Sequence, residues 1–280
     1  MSGILYLCAT PIGNLADMTY RAVSILKEVD LIAAEDTRTS KILLDHYEID
    51  TPMTSYHEFN KKEKGERLIT DLIQGKNIAV ITDAGTPGIS DPGEELVQSC
   101  YDQGIVVYAI PGASACITAI TSSGQVCRRF AFEAFLPKDK KEHARVLLEL
   151  QQETRTIILY EAPHRLKETL KELEAVLGDR ELTITRELTK KFEEKYKTTL
   201  SAAVTEYETR QPKGEYVLVI AGKSKQMLLE ENIRKWENVT LQEHLQLYLR
   251  DGMDKKEAMK AVAKDRNMSK RDVYQALLQE

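Results

Sequence analysis

Residues 77–93 read NIAVITDAGTPGISDPG, and this stretch decides the fold. The opening run, NIAVIT, is apolar and β-branched, with the length of a strand buried on both faces. Residues 82–93 then carry three glycines and two prolines, which specify a shaped loop of the kind that cradles a ligand. Working outward, strand-like runs recur at 3–9, 31–34, 53–56 and 105–110, with helical spacing of apolar residues at 18–29, 39–47, 61–74 and 94–103. Strands alternating with helices of about ten residues predict βαβ units and a largely parallel sheet. Such a sheet gathers its ligands at the carboxyl ends of its strands.

Pro111-Gly112-Ala113-Ser114 ends this part and leads into a helix at 116–122. The second part has fewer, longer elements: strands at 130–135, 156–160, 182–186 and 216–221, and helices at 143–150 and 165–177. Residues 223–237 are polar and read as a connector. From 241 onward Leu245, Leu249, Ala258, Ala261, Val262, Val273, Leu277 and Leu278 give two or three short helices, including a helix–turn–helix pattern at 255–278 with Ser269 as N-cap and Asp272 as its partner. Lys264, Arg266, Lys270 and Arg271 crowd that turn. They suit phosphate contact, and they equally suit a solvated hairpin used for packing or dimerisation. The expected organisation is an α/β domain at 1–112, a second at 113–224 and a helical tail at 238–280.

Composition narrows the classes. With 42% hydrophobic and 30% charged residues the chain is globular. It has no apolar run near the ~20 residues of a membrane span and no secretory pattern at its start, so a cytoplasmic location is expected. Cys8, Cys100, Cys116 and Cys127 form no C-x-x-C pair and are expected as small buried residues, with no metal site. A net charge of −5 argues mildly against a free nucleic-acid substrate, though local basic patches can still dock an RNA held in shape by other proteins.

Three loops after strands carry chemistry rather than packing: 10–15 (TPIGNL), 35–38 (EDTR) and 82–93. The second places two carboxylates and a guanidinium at a strand end, where burial is costly. The sequence has neither an early G-x-G-x-x-G nor a G-x-x-x-x-G-K-[ST], so dinucleotide and P-loop readings lack their phosphate element. The histidines are scattered and read as surface or packing residues, except His57 and His164, which follow strand-like runs. Glu161 and Glu187, in loops of the second half, have a structural reading as ion-pair partners of Arg165 and Arg186.

At these residues the chain resembles the tetrapyrrole-methylase-type fold, and within it the ribosomal RNA small subunit methyltransferase I branch. The motifs are Ala9-Thr10-Pro11-Ile12-Gly13-Asn14-Leu15-Ala16-Asp17, Ala34-Glu35-Asp36-Thr37-Arg38 and Thr82-Asp83-Ala84-Gly85-Thr86-Pro87. Further on come Phe135-Leu136-Pro137, Tyr160-Glu161 with His164-Arg165-Leu166, and Arg186-Glu187-Leu188-Thr189-Lys190. The resemblance spans roughly 4–222, and the tail looks like one that some members carry. Two departures stand out. Gly112-Ala113-Ser114 lacks a second proline common in relatives. The third loop has Asp-Ala-Gly-Thr-Pro where tetrapyrrole enzymes show Gly-Asp-Pro, which favours the RNA branch.

The resemblance implies a cleft between two domains that binds S-adenosylmethionine through Pro11, Asp83, Ala84, Gly85, Ile89, Ser114, Ala115, Glu161 and Leu188. It implies methylation of the ribose 2′-hydroxyl of a cytidine in 16S rRNA of the small ribosomal subunit, by a homodimer. Asp36 is then the candidate proton acceptor with Arg38 orienting its surroundings. Arg165, Lys190, Lys191, Lys270 and Arg271 are candidate RNA contacts. Competing expectations are methylation of a small tetrapyrrole or precorrin, and a non-enzymatic nucleic-acid-binding regulator that senses the cofactor.

Overall fold

The computed structural model describes residues 2–279, with side chains up to residue 277; Leu278, expected in the apolar pattern of the tail, lies outside the described side chains. The chain forms two compact units, Met1–Gln151 with Arg155–Ala221, and Gln152–Thr154 with Gly222–Glu280.

The first unit opens with β1 (Ile4–Cys8), α1 (Tyr20–Glu28), β2 (Leu31–Ala34), α2 (Thr37–His46), β3 (Met53–Ser55), α3 (Lys61–Ile73), β4 (Ile78–Ile81), α4 (Glu94–Asp102) and β5 (Val106–Ile110). Its five strands lie in the order β3-β2-β4-β1-β5 and every pairing is parallel. β4 sits at the centre and is buried along its whole length, as its unbroken apolar run requires. One core covers each face, with Leu26, Ile32 and Leu44 on one side and Leu5, Leu72 and Ile78 on the other. Helix α2 starts two residues before the expected 39, because the Asp36 side chain caps it by accepting the Arg38 N–H.

After α5 (Ala115–Ser123) come β6 (Phe130–Ala134), α6 (Lys140–Gln152), β7 (Thr156–Glu161), α7 (Leu166–Leu177), β8 (Glu181–Arg186), β9 (Glu194–Thr199), α8 (Leu200–Thr209) and β10 (Tyr216–Ile220). This second sheet runs β6-β7-β10-β8-β9, parallel only between β6 and β7. Sequence reading finds neither β9 nor α8. β9 (EKYKTT) is an edge strand with no fully buried residue, so it lacks an apolar signal. α8 buries only Leu200, Ala203 and Tyr207, and its Thr199 cap accepts the Ala202 N–H.

The second unit adds α9 (Lys225–Lys235), α10 (Leu241–Arg250), α11 (Lys255–Asp265) and α12 (Lys270–Gln279). The expected connector at 223–237 is therefore mostly a helix. It is capped by Ser224 and buries no residue completely, which is why its pattern reads as polar. Leu241, Leu245, Ala258, Val262, Ala263 and Val273 make the core of this unit. His244 is fully buried within it, stacked on Trp236 at 3.4 Å between ring centres, and Nδ1 accepts a hydrogen bond from Arg266 Nε at 3.1 Å. Ser269 caps α12 as expected: its Oγ accepts the Asp272 N–H at 3.1 Å and donates to the Asp272 carboxylate at 2.7 Å. Cys8, Cys100 and Cys116 are buried, but Cys127 is exposed, because it falls in the turn between α5 and β6 rather than on an apolar face. Among the described residues no helix is long and apolar enough to cross a membrane.

Gly112 marks the tightest approach at the strand ends. A Cβ built there would lie 2.6 Å from the Ala9 Cβ, so the chain leaving β5 passes directly against the chain leaving β1. Gly112→Ala is expected to overpack this contact and cost about 1–3 kcal/mol, read as a lower urea midpoint at unchanged slope.

Candidate active site

The loops leaving β1, β2 and β4 are tied to one another before they meet anything else. Thr10 and Gly85 form an antiparallel backbone bridge, Thr10 N–H to Gly85 O at 2.8 Å and Gly85 N–H to Thr10 O at 3.1 Å. Thr10 Oγ1 donates to Thr82 O at 3.0 Å. Gly85 sits at φ +90°, a conformation that side-chain-bearing residues rarely adopt. A second tie is reciprocal: Asp36 N–H donates to Asp83 Oδ1 at 3.2 Å, and Asp83 N–H donates to Glu35 Oε2 at 3.3 Å. Thr86 Oγ1 donates to Ala113 O at 3.0 Å and so holds the 82–93 loop to the chain entering α5.

These loops form one wall of a cavity of about 430 Å³, and the second sheet forms the other. That volume is in the range of small-molecule sites. The first wall presents Ile12, Glu35, Asp83, Ala84, Gly85 and Ile89, then Ser90 and Asp91 further along the same loop. The second presents Phe135, Tyr160, Glu161, Pro163, Leu188 and Val217. Ser114 and Ala115 join them at the N-terminus of α5, whose first-turn amides favour an anionic group. Of those amides, Cys116 N–H donates to Tyr160 Oη at 2.9 Å and fixes the tyrosine ring against Phe132 and Phe135.

One end of the cavity is acidic. Burial raises Glu35 and Asp83 above the ordinary carboxylate range, and each is raised further by the other acids around it. Asp91 is pushed up to about 6 by burial and then by the charges of Glu35 and Asp83. Asp36 behaves oppositely. Arg38 donates to both its oxygens, Nε at 3.1 Å and Nη2 at 2.6 Å, and its N–H adds a third bond at 2.8 Å. Held chiefly by the guanidinium, the Asp36 carboxyl falls to about 2.

Eight of the nine expected cofactor residues line the cavity: Asp83, Ala84, Gly85, Ile89, Ser114, Ala115, Glu161 and Leu188. Pro11 is buried beside it without lining it. Asp36 and Arg38 are not on its wall, and the Arg38 side chain is 90% exposed. Glu161 is a buried anchor: Thr169 Oγ1 donates to it at 2.5 Å, Ala162 N–H at 2.8 Å, and Arg165 Nε lies 3.8 Å away. Arg165 also donates to Leu136 O at 3.2 Å. Glu187 pairs with Lys190 at 3.0 Å rather than with Arg186, which lies 3.1 Å from Glu194. Lys190 reaches Glu215 as well, at 2.7 Å. Lys191, Lys270 and Arg271 are exposed. His57 and His164 do not line the cavity. Glu35, Asp91, Phe135 and Tyr160 do; all four lie in the loops and motifs the sequence marks, but none is expected there as a cofactor or catalytic residue, because spacing alone does not say which side chain turns inward.

The residues fit S-adenosylmethionine by their chemistry. Carboxylates face a position suited to a cationic sulfonium or ammonium, the α5 N-terminus suits a carboxylate, and Ile12, Leu188 and Val217 offer an apolar wall. Two α/β halves converging on such a cavity define a methylase of the tetrapyrrole type. The chain belongs to the Tetrapyrrole (Corrin/Porphyrin) Methylases family, matched over residues 5–204. It is 50% identical over 274 residues to the ribosomal RNA small subunit methyltransferase I of Bacillus subtilis, covering 98% of this chain and 94% of that one. It is 47% identical over 281 residues to the protein of the same name in Synechocystis sp., covering 99% and 98%. These full-length matches set it within that group of the family. Solved structures agree on the fold: uroporphyrin III C-methyl transferase from Thermus thermophilus (TM-score 0.57, 17% identity, 78% of this chain and 97% of that one) and diphthine synthase (0.63, 14%, 81% and 94%).

Because the folded protein raises Asp91, the protonated acid is the form the fold favours, so stability is lost as pH rises through about 6. Asp91→Asn is therefore expected to raise Tm slightly at pH 8, on the order of 2 °C, and to leave it unchanged at pH 4, as read by calorimetry.

Proposed function

We propose that this enzyme transfers a methyl group from S-adenosylmethionine to the ribose 2′-hydroxyl of a cytidine in 16S rRNA of the small ribosomal subunit. The observation that carries the reading is the full-length match. Relatives named for ribosomal RNA cover 98–99% of the chain, tail included, whereas the uroporphyrin and diphthine enzymes cover 78–81% of it. The cavity supports it chemically: Asp83, Ala84, Gly85, Ser114 and Leu188 would hold the methyl donor, whose sulfonium supplies the activated methyl. The protein contributes orientation, since a ribose hydroxyl is a weak nucleophile that gains most from in-line placement.

An acidic chain meets RNA most readily where a particle presents it in shape, so the assembled small subunit is the favoured substrate. The exposed cations Lys191, Lys270 and Arg271 suit phosphate contact, whereas Arg165 and Lys190 are engaged in ion pairs and serve the site's frame first. A cytoplasmic homodimer completes the reading. Edge strand β5 exposes Val106 and Tyr108, the kind of apolar surface that a second copy would cover.

Small subunits from cells lacking the protein, incubated with it and methyl-labelled S-adenosylmethionine, are expected to approach stoichiometric labelling. After alkaline hydrolysis the label is expected in a dinucleotide, because a 2′-O-methyl blocks attack on the neighbouring phosphate. Label in mononucleotides would move the methyl to a base, and absence of label would return the tetrapyrrole and regulator readings. Replacing Lys270 and Arg271 together by Glu is expected to weaken subunit binding, with a salt dependence shallower by about two charges in a filter-binding titration.

A further inference from the structure

We propose that Asp91 is the group that takes the proton from the attacking hydroxyl, while Glu35 and Asp83 hold the loops that present it. The inference deepens the reading of the preceding section and rests on it.

Each of the other acids at or beside the cavity already holds a hydrogen bond or ion pair with the protein. Asp36 lies off the wall with both oxygens on Arg38. Glu35 accepts the Asp83 N–H through Oε2, and Asp83 accepts the Asp36 N–H through Oδ1, so one oxygen of each is part of the tie between β2 and β4. Glu161 is wholly buried under Thr169, Ala162 and Arg165. Glu215 is drawn outward to Lys190, its side chain 79% exposed. Asp91 alone among these lines the cavity and, among the described residues, accepts no hydrogen bond from the protein.

The backbone around it is also shaped. The loop closes on itself at Gly88 and Gly93, where a Cβ on Gly93 would come within 3.1 Å of Gly88 N, and Pro92 fixes the backbone beside Asp91. The side chain is thus carried on a short arc whose two ends meet at Gly88 and Gly93. The groups that face it are Glu35 from the end of β2, Asp83 from the end of β4 and Tyr160 from the end of β7. Burial, and then the charges of the two carboxylates, bring its pKa to about 6, close to a working pH, where a carboxylate is both ionised and as basic as the site allows. Asp36, at about 2, is a far weaker base.

The ribose oxygen bonds to the methyl carbon, the carbon–sulfur bond breaks with its pair going to sulfur, and the O–H proton passes to an Asp91 carboxylate oxygen. Asp91 then returns the proton to water.

Asp91→Asn and Asp91→Glu test this against wild type in single-turnover transfer to small subunits between pH 5 and 9, alongside S-adenosylmethionine binding by calorimetry and carboxyl titration of the cofactor-free protein by NMR. Wild type is expected to gain rate with pH up to a break near 6, and the NMR titration to show a carboxyl with that midpoint that disappears in Asp91→Asn. Asp91→Asn is expected to lose about 10²–10⁴-fold in rate and the break with it, with cofactor affinity changed less than about tenfold. Asp91→Glu is expected to recover part of the rate and a break, which a merely structural role would not restore. An Asp91→Asn enzyme that keeps its rate or its break, or an Asp91 carboxyl that titrates near 4, overturns the assignment alone. No transfer by wild type overturns the substrate reading and the assignment together.

Discussion

The backbone bridge between Thr10 and Gly85 is the constraint from which the site follows. β1 and β4 are parallel neighbours, so their loops leave the sheet side by side and would otherwise diverge. Two amide–carbonyl bonds turn these loops into a short antiparallel ladder beyond the parallel sheet, and Thr10 Oγ1 locks its base to Thr82. The bridge needs Gly85 at φ +90°, and the residues after Gly85 are thereby aimed across the cavity instead of along the sheet. Thr86 carries the same frame to Ala113 and α5. One pair of backbone bonds thus places both the acidic loop and the helix end that faces it.

The carboxylates add a tension that the backbone bonds must hold. Glu35, Asp83 and Asp91 repel one another in a partly desolvated place, and a free loop would relax by turning them to water. Two of the three are retained because each accepts an amide of a neighbouring strand end, which returns part of the lost hydration. The opposite wall is anchored differently. Glu161 is buried with one hydrogen bond on each oxygen, from Ala162 and Thr169, and its charge met by Arg165, so it ties the end of β7 to the start of α7. A buried carboxylate with a donor on each oxygen makes an anchor, and one without donors keeps its basicity.

The parallel sheet was legible because its strands are buried on both faces and announce themselves as unbroken apolar runs, NIAVIT above all. The loops were legible because Gly and Pro mark backbone shape, and eight of nine residues placed in the cofactor cleft from the resemblance do line one cavity. What could not be read depends on direction in space. β9 shows no apolar run because it lies at an edge, and α9 shows none because it buries nothing completely. EDTR gave two acids and an arginine, but whether Glu35 or Asp36 faces inward is set by α2, whose first turn claims Asp36 as its cap. Lys190 read as a free cation because Glu215 is 25 residues away in sequence while 2.7 Å away in space.

The acidity of the cavity bears on what can enter it. A floor of Glu35, Asp83 and Asp91 attracts a sulfonium and repels a phosphate, and in a partly desolvated cleft that repulsion is stronger than it would be in water. A polyanionic substrate must therefore keep its backbone outside the cavity and offer only a neutral group to the interior. A ribose hydroxyl meets that demand, being uncharged until it reacts. On the proposed reading, its reaction would leave a proton beside carboxylates whose burial and then mutual repulsion raise their hold on it, and would remove the positive charge of the methyl donor. The electrostatics that would draw in a cationic donor would thus no longer hold its neutral product, so methyl transfer would itself weaken the interaction that filled the cleft.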